Sequence, residues 1–439
     1  MSVLAQAWAE LGGDPTLLPL VTVTGSTGLR SALPVGALAT GAVGAQRLAA
    51  AELAAADGRP GPVTVDAAHV GVAFRSERFL RLDGVPAGAG FAPLSRFHRT
   101  ADGWVRLHAN YPWHRDAAIA ALGADPVAGI AERTGTEVEE AVVAAGGVAA
   151  AVRTPEEWTG TPQGAAVQAL PLLRLRSAGP APARSRSVRG LRVLDLTRVI
   201  AGPVGTRTLA AHGADVLRIQ SPRLPEDPAA LLDTGPGKRH TTLDLSAPGD
   251  RGRLEDLLSR ADVLVQGHRP GALAAHGLAP DLLAERHPGL VVVSLSAWGT
   301  VGPWAQRRGF DSIVQAATGI AAVTAADDGT PGVLPAQALD HSAGHLVAAT
   351  VLRALTEGAR QGGSWHGELS LAQLAAWLLA APRAAQEPAG PAPEPDLARF
   401  LVDLPSPSGV VTLVRPPGSP VWRRGPVPAG YDSPGWPAR

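Results

Sequence analysis

The chain has 439 residues, enough for about two or three domains, with zero formal net charge and a near-neutral isoelectric point. No basic surplus favours nucleic acid, and no acidic tail suggests a protein partner. The absence of cysteine excludes disulfides, thiolate catalysis and cysteine-ligated zinc.

The first residues, MSVLAQAWAELGGD, lack a basic stretch followed by an apolar one, so no signal peptide is expected. No run of about 18 apolar residues is free of Gly, Pro and charge, so no membrane span is expected. The expectation is a soluble cytoplasmic protein that uses neither nucleic acid nor membrane.

Taken in chain order, Val35–Phe74 predicts an Ala-rich helix, a Gly-rich turn, a short strand and a second helix. PAGAGF (Pro86–Phe91) is a Gly-rich loop containing Gly88 and Gly90. SAGPAPARSRSV (Ser177–Val188) and EPAGPAPEPDLA (Glu387–Ala398) read as linkers, being rich in Pro and Ala with no apolar period.

Between the linkers, VLDL predicts a strand, PVGTRTLAAHG a helix with Pro near its start and Gly at its end, and ADVLRIQ a second strand. APGDRGRLEDLLSRA, DVLVQG, APDLLAERH and GLVVVSLS then alternate helix and strand. Alternation of this kind predicts a parallel sheet in a doubly wound, Rossmann-like α/β domain.

Val35–Phe74 also lies against Leu339–Leu378 without a gap, each copy with the same order of elements. In that register Asp340 faces Gly36.

Asp340 stands where an apolar helix is expected to begin. It suits an N-cap, because Asp accepts backbone N–H bonds and favours the positive helix end. The same physics would keep the carboxylate ionised, as a nucleophile must be. His341 beside it either packs or orients a partner. Lys238 and Arg239 follow a Gly-Pro-Gly turn and suit phosphate, Lys as a point charge and Arg as a fork. Arg269-Pro270-Gly271 follows a strand and is expected to begin a helix, a place where anions bind. AGPVG (Ala201–Gly205) lacks the spacing of a dinucleotide fingerprint. DHSAGH has no metal-ligand spacing.

The central stretch, about Arg189 to Leu379, resembles the class III CoA-transferases. This family includes formyl-CoA and carnitine CoA-transferases and α-methylacyl-CoA racemases. The resemblance is carried in family order by LRVLDLTRVIAGPVGTRTLAAHGADVLRI, GKRHTTLDL, ADVLVQGHRPGALAAHGL, VVVSLSAWGTVGPWAQRRGFDSIVQAATGI and the Asp340 helix. RFHRTADGWVRLHANYPWHRDAAIAALG and EEAVVAAGGVAAAVRTPEEWTGTPQGAAVQAL resemble the family's small domain, and DLPSPSGVVTLVRPP resembles its return segment.

The resemblance implies a permuted or duplicated domain order. Residues 1–80 would be a degenerate copy of the second half of the large domain, and 81–178 a smaller α+β domain with the Gly loop. A linker at 179–188 would lead to the catalytic large domain at 189–386. A second linker at 387–398 would lead to a return segment at 399–439.

The resemblance also implies roles. Asp340 would attack an acyl-CoA thioester to give a mixed anhydride, which CoA thiolate would convert to an aspartyl-CoA thioester. Arg198, Val199 and Ala201 would line the CoA nucleotide. Lys238, Arg239, His268 and Arg269 would hold its phosphates and linker, and Gly271 would flank the pantetheine. Gly88 and Gly90 would close over the site.

The partners would be acyl-CoA and a carboxylic acid, with no permanently bound cofactor and no metal. Two assembly states stay open, an interlocked homodimer or two repeats that mimic a dimer within one chain. Where formyl-CoA transferases carry Gln, this chain has Ile200. The family's Asn after the third strand is Gly267, and a following Arg is Ala275. A non-catalytic CoA-binding protein is therefore an alternative. Racemases place a proton-shuttling His in Gly-His-Asp. The matching run is Gly309-Phe310-Asp311, and phenylalanine carries no such proton.

Overall fold

The structure, a computed structural model, describes residues 1–55, 59–88, 90–382, 396–418 and 420–438. In the N-terminal part, β1 (Val21–Thr24) pairs in parallel with β2 (Val63–Asp66). Helix Val35–Ala54 connects them, and helix Ala67–Ala73 follows β2 directly. Asp66 caps that second helix through the N–H groups of Ala68 and His69. Next come the short helix Ser76–Phe79 and a hairpin of β3 (Arg81–Leu82) and β4 (Val85–Pro86).

A small antiparallel sheet follows, in the order β5 (Phe97–Arg99), β6 (Trp104–Leu107), β7 (Ala149–Ala151). Helices Pro112–Leu122 and Gly135–Ala144 pack on it around Val105, Leu107, Leu122, Val138 and Val142.

The central sheet contains β8 (Leu173–Gly179), β9 (Arg192–Leu196), β10 (Asp215–Gln220), β11 (Lys238–Thr242), β12 (Val263–Gln266), β13 (Val291–Ser296) and β14 (Ser364–Ser370). Its spatial order is β11-β10-β9-β12-β13-β14-β8. All neighbours pair in parallel except β8, which runs antiparallel to β14. The parallel sheet expected from the alternating pattern is present.

Side chains alternate along each strand, so one sheet feeds two cores. Val193, Val216, Val263 and Val293 face the helices Ala201–Ala211 and Ala338–Gln361. Leu194, Leu217, Leu264 and Val292 face helices Pro248–Leu258 and Pro280–Arg286.

Two linker expectations need correction or bounding. Ser177–Gly179 belongs to β8, where Ser177 opposes Trp365, so the first three residues of that linker are strand. Of the second linker, 387–395 lies outside the described residues.

After it, β15 (Leu401–Ser406) and β16 (Gly409–Val414) join the early hairpin in the order β15-β16-β3-β4. The following stretch returns to the central sheet. The Trp422 indole donates to Arg207 O at 2.8 Å, and the Trp436 indole to Leu257 O at 3.0 Å. No described helix is long and apolar enough to cross a membrane.

Helix Val35–Ala54 packs along helix Ala338–Gln361. Arg353, fully buried, crosses that contact to Glu52 at 2.6 Å and also bonds Glu357. Helix Leu371–Ala380 is capped by Ser370, which donates to Gln373 while accepting its N–H.

Candidate active site

The order of the central sheet reverses between β9 and β12, which both end at the same edge. Parallel α/β sheets bind ligands in the crevice beyond such strand ends. A cavity of about 290 Å³ lies there. Thr197, Arg198 and Val199 enter it from the end of β9, and Gly267, His268 and Arg269 from the end of β12. Asp340, Phe310, Leu295 and Leu371 line it too, and Tyr111, Trp113 and His114 enter from the small domain. Ala201 and Gly202, at the start of helix Ala201–Ala211, complete one wall.

Asp340 is 6% exposed and is the third residue of its helix. The expectation that it caps this helix is corrected. Asp311 performs the capping from a neighbouring helix, its Oδ2 accepting the N–H of Leu339 at 2.9 Å and of Asp340 at 3.0 Å. The Gln315 amide donates to the other Asp311 oxygen.

The expectation that the helix end keeps Asp340 ionised is corrected as well. Its own amide and the preceding one are already committed to Asp311. Burial raises the Asp340 carboxyl well above the usual range, and the Asp311 charge raises it further. Burial also lifts Asp311, to about 6, against the bonds from Gln315, Asp340 and Leu339.

The cavity mouth is cationic. Arg198 lies 5.0 Å from the Tyr111 ring and 3.5 Å from Glu226. Arg307 pairs with Glu139 at 2.9 Å. Arg269 and Arg308 instead bond only to backbone carbonyls, of Gln306 at 3.0 Å and Gly146 at 3.2 Å. Neither has a carboxylate partner among the described residues, so their charge is free to meet an anion.

Val199 has φ of 65°, a strained backbone for a β-branched residue. Glu226 holds it there, accepting the Val199 N–H at 2.9 Å and the Tyr111 hydroxyl. Burial would raise the Glu226 carboxyl, but the charges of Arg218 and Arg198 hold it below the usual range. One buried acid thus ties the small domain to the β9 loop.

Of the expected site residues, the cavity brings together Asp340, Arg198, Val199, Ala201, His268 and Arg269. Gly271 lines an adjoining cavity of about 250 Å³ that shares His268, Pro270, Leu295 and Ser296 with the first. Arg269 does not begin a helix. Gly271, at φ 78°, turns the chain into a single 3-10 turn at Ala274–His276.

Lys238 is not brought to the cavity. It is 1% exposed, and its ammonium bonds Asp195 at 3.0 Å and Pro203 O at 2.9 Å. Burial lowers it to about 8 against the pull of Asp195, and the buried ammonium is engaged with that carboxylate rather than turned to the cavity. Arg239 is not brought there either, being spent on Asp215 at 2.9 Å and Gly435 O at 2.6 Å. Gly88 and Gly90 do not line the cavity, and a Cβ at Gly88 would stand 2.5 Å from Glu77 O.

Sequence reasoning did not pick out Asp311 as a partner of Asp340, nor Glu226, His114 or Arg308. The adjacent cations of Arg307-Arg308 and the aromatic run Tyr111-Pro112-Trp113-His114 were the available signals. Among the described residues no group of three or more His, Asp or Glu could hold a metal ion.

The chain is thus a mixed α/β protein with a buried acid beneath an arginine-rimmed crevice. Residues 188–402 match the model of CoA-transferase family III. An acyl-CoA transferase of Gibberella moniliformis is 33% identical over 312 residues, 62% of this chain and 54% of that protein. The probable fatty acyl-CoA transferase Rv3272 of Mycobacterium tuberculosis is 31% identical over 234 residues, 49% of this chain and 59% of that protein. Succinate–glutarate CoA-transferase of Agrobacterium fabrum is 29% identical over 217 residues, 45% of this chain and 54% of that protein. A crystal structure of Rv3272 aligns with TM-score 0.41 and 32% identity, covering 44% of this chain and 57% of that one. The chain thus spans a little over half the length of these relatives.

Proposed function

We propose that the protein transfers CoA between an acyl-CoA thioester and a carboxylic acid, with Asp340 as covalent nucleophile. The observation that carries this is Asp340 lining the crevice at the sheet's reversal point, below Arg269 and Arg308, which have no carboxylate partner among the described residues. The names of its relatives, acyl-CoA and succinate–glutarate CoA-transferases, agree.

In this reading the ionised Asp340 attacks the thioester carbonyl, the C–S bond breaks, and CoA leaves as thiolate. The thiolate then attacks the anhydride at the Asp340 carbonyl and releases the donor acid. The acceptor carboxylate attacks the aspartyl thioester, and the second exchange regenerates Asp340. Covalent catalysis keeps the thioester energy within the site. Arg198, Arg269 and Arg308 attract the phosphates of CoA. Phe310, Leu295 and Leu371 keep water from the anhydride. CoA is a substrate in this scheme, and no permanent cofactor has a role.

The racemase alternative finds no proton carrier at Phe310, whose ring stacks on His108 at 3.6 Å. The raised Asp340 carboxyl favours one rival, a protein that binds CoA without exchange.

The test is incubation with a panel of acyl-CoA donors, trapping with hydroxylamine and mapping by mass spectrometry. An adduct at Asp340 supports the transferase. CoA binding without an adduct, and without exchange to any acid tried, supports the non-catalytic rival.

A further inference from the structure

A cavity of about 470 Å³ opens at the edge of the central sheet opposite the crevice. Arg192 opens β9 there, and Asp262 and Leu290 lead into β12 and β13. These strands run parallel, so their starts share one edge as their ends share the other. The cavity has no lining residue in common with the two at the strand ends.

Five arginines line it, and Asp262 is the one carboxylate among the described residues that do. Arg184 and Arg186 come from the connection between β8 and β9. That connection is pinned in place, Gly363 N–H donating to Ala181 O at 2.9 Å and Arg184 N–H to Gly358 O at 3.1 Å. Arg260 stands just past helix Pro248–Leu258, and Arg286 ends helix Pro280–Arg286.

The carboxylate is committed to the frame. Asp262 Oδ2 accepts the Arg192 N–H at 3.0 Å, and Oδ1 faces Arg186 at 3.3 Å. Glu255, outside the lining, takes Arg286 at 3.0 Å. Arg260 reaches only the Asp256 carbonyl, at 3.4 Å, and the Arg184 guanidinium has no bond to the described residues. Five guanidiniums thus meet two carboxylates. The C-termini of the two helices add about half a negative charge each, which leaves an excess of about two positive charges. Like charges gathered on one wall repel, and an anion with two charges relieves the repulsion. No Phe, Tyr or Trp lines the cavity among the described residues, so a nucleobase has no ring to stack on.

We propose that this cavity binds a small dianion, a phosphate ester or a dicarboxylate, through the forked N–H groups of Arg184 and Arg260. Arg186 and Arg192 supply further positive charge at the strand starts. The bound dianion ties the β8–β9 connection to the end of helix Pro248–Leu258. The site is separate from the crevice and stands whether or not Asp340 is a nucleophile.

The test is calorimetry on the full chain with β-glycerophosphate and with succinate, both dianions at neutral pH. Sodium chloride at equal ionic strength is the control, and melting is followed in the same solutions. The variant is Arg184→Gln with Arg260→Gln, two exposed positions whose change spares the fold. Arg269→Ala, in the crevice, serves as the comparison.

One equivalent of dianion should bind, and the tighter probe identifies the ligand as phosphate ester or dicarboxylate. The double variant should bind at least about tenfold more weakly, the loss expected of two charge-assisted forks. Arg269→Ala should stay within about twofold of wild type. Without dianion at low salt the double variant should melt no lower than wild type, because it has shed the repulsion, and added dianion should no longer raise its melting. Equal binding by wild type and double variant would overturn the proposal. So would failure of both probes to bind, or a melting shift that chloride reproduces. Loss of binding in Arg269→Ala but not in the double variant would place the anion in the crevice, and the proposal would fall.

Discussion

Val35–Phe74 and Leu339–Leu378 fold through the same elements and pack helix against helix, yet among the described residues only the second lines the crevice of the central sheet. Both run helix, strand, helix, and at the equivalent positions Asp66 and Ser370 each caps the last helix. The strands differ. β2 has one partner, β1, whereas β14 lies between β13 and β8 in the large sheet. The helix starts differ as well, with Gly36 pressed against Thr27 and Asp340 open to the crevice. Local sequence suffices to build the elements. A site needs the crevice that only the large sheet provides at its reversal point.

Asp340→Asn is the sharpest way to break this comparison. Exchange and adduct should vanish in a CoA-exchange assay, leaving both copies inert. The same variant should melt higher than wild type at neutral pH. A carboxyl raised above its unfolded value of 3.8 takes up a proton on folding, so it costs stability as pH rises through that window. Asn carries no such cost, and the difference in melting should fade below pH 3.8.

Arg353→Ala tests the seam between the copies. It strips Glu52 of its buried partner and should cost about 3 kcal/mol in urea unfolding. That is the low end for such pairs, because Arg360 still reaches Glu52 at 3.0 Å. Gly36→Asp asks whether an acid alone makes a site. The crowding by Thr27 should cost about 1–3 kcal/mol, and no adduct should form at position 36.

Asp311→Asn removes the charge that opposes ionisation of Asp340. The rise of exchange with pH should move to lower pH, by about one unit. Arg269→Ala should weaken CoA binding about tenfold, or about 1.4 kcal/mol, with a smaller salt dependence in calorimetry.

The periodic elements were legible because each strand of a parallel sheet is a short apolar run bounded by turns. The helix that ends before Gly213, at φ 98°, carried its own stop signal. The site was legible where strand ends dictate position, at Arg198, Val199, His268 and Arg269. It was misread where a distant partner decides. Nothing near Lys238 shows that Asp195, 43 residues away, will take its ammonium. Nothing near Asp340 shows that Asp311, on another helix, will take its amide. A cation after a turn and an acid at a helix start have several fates in sequence, and tertiary contacts choose among them.

The segment that returns after β16 has a consequence for association. β11 is an edge strand, with free backbone groups on one side. His240 N–H is taken by the Asp432 carboxylate at 2.9 Å, and His240 O by the Asp432 N–H at 2.8 Å. Gly237 N–H goes to Arg424 O at 2.8 Å. This strap covers the β11 border of the sheet, so a second copy cannot add a strand there without displacing it.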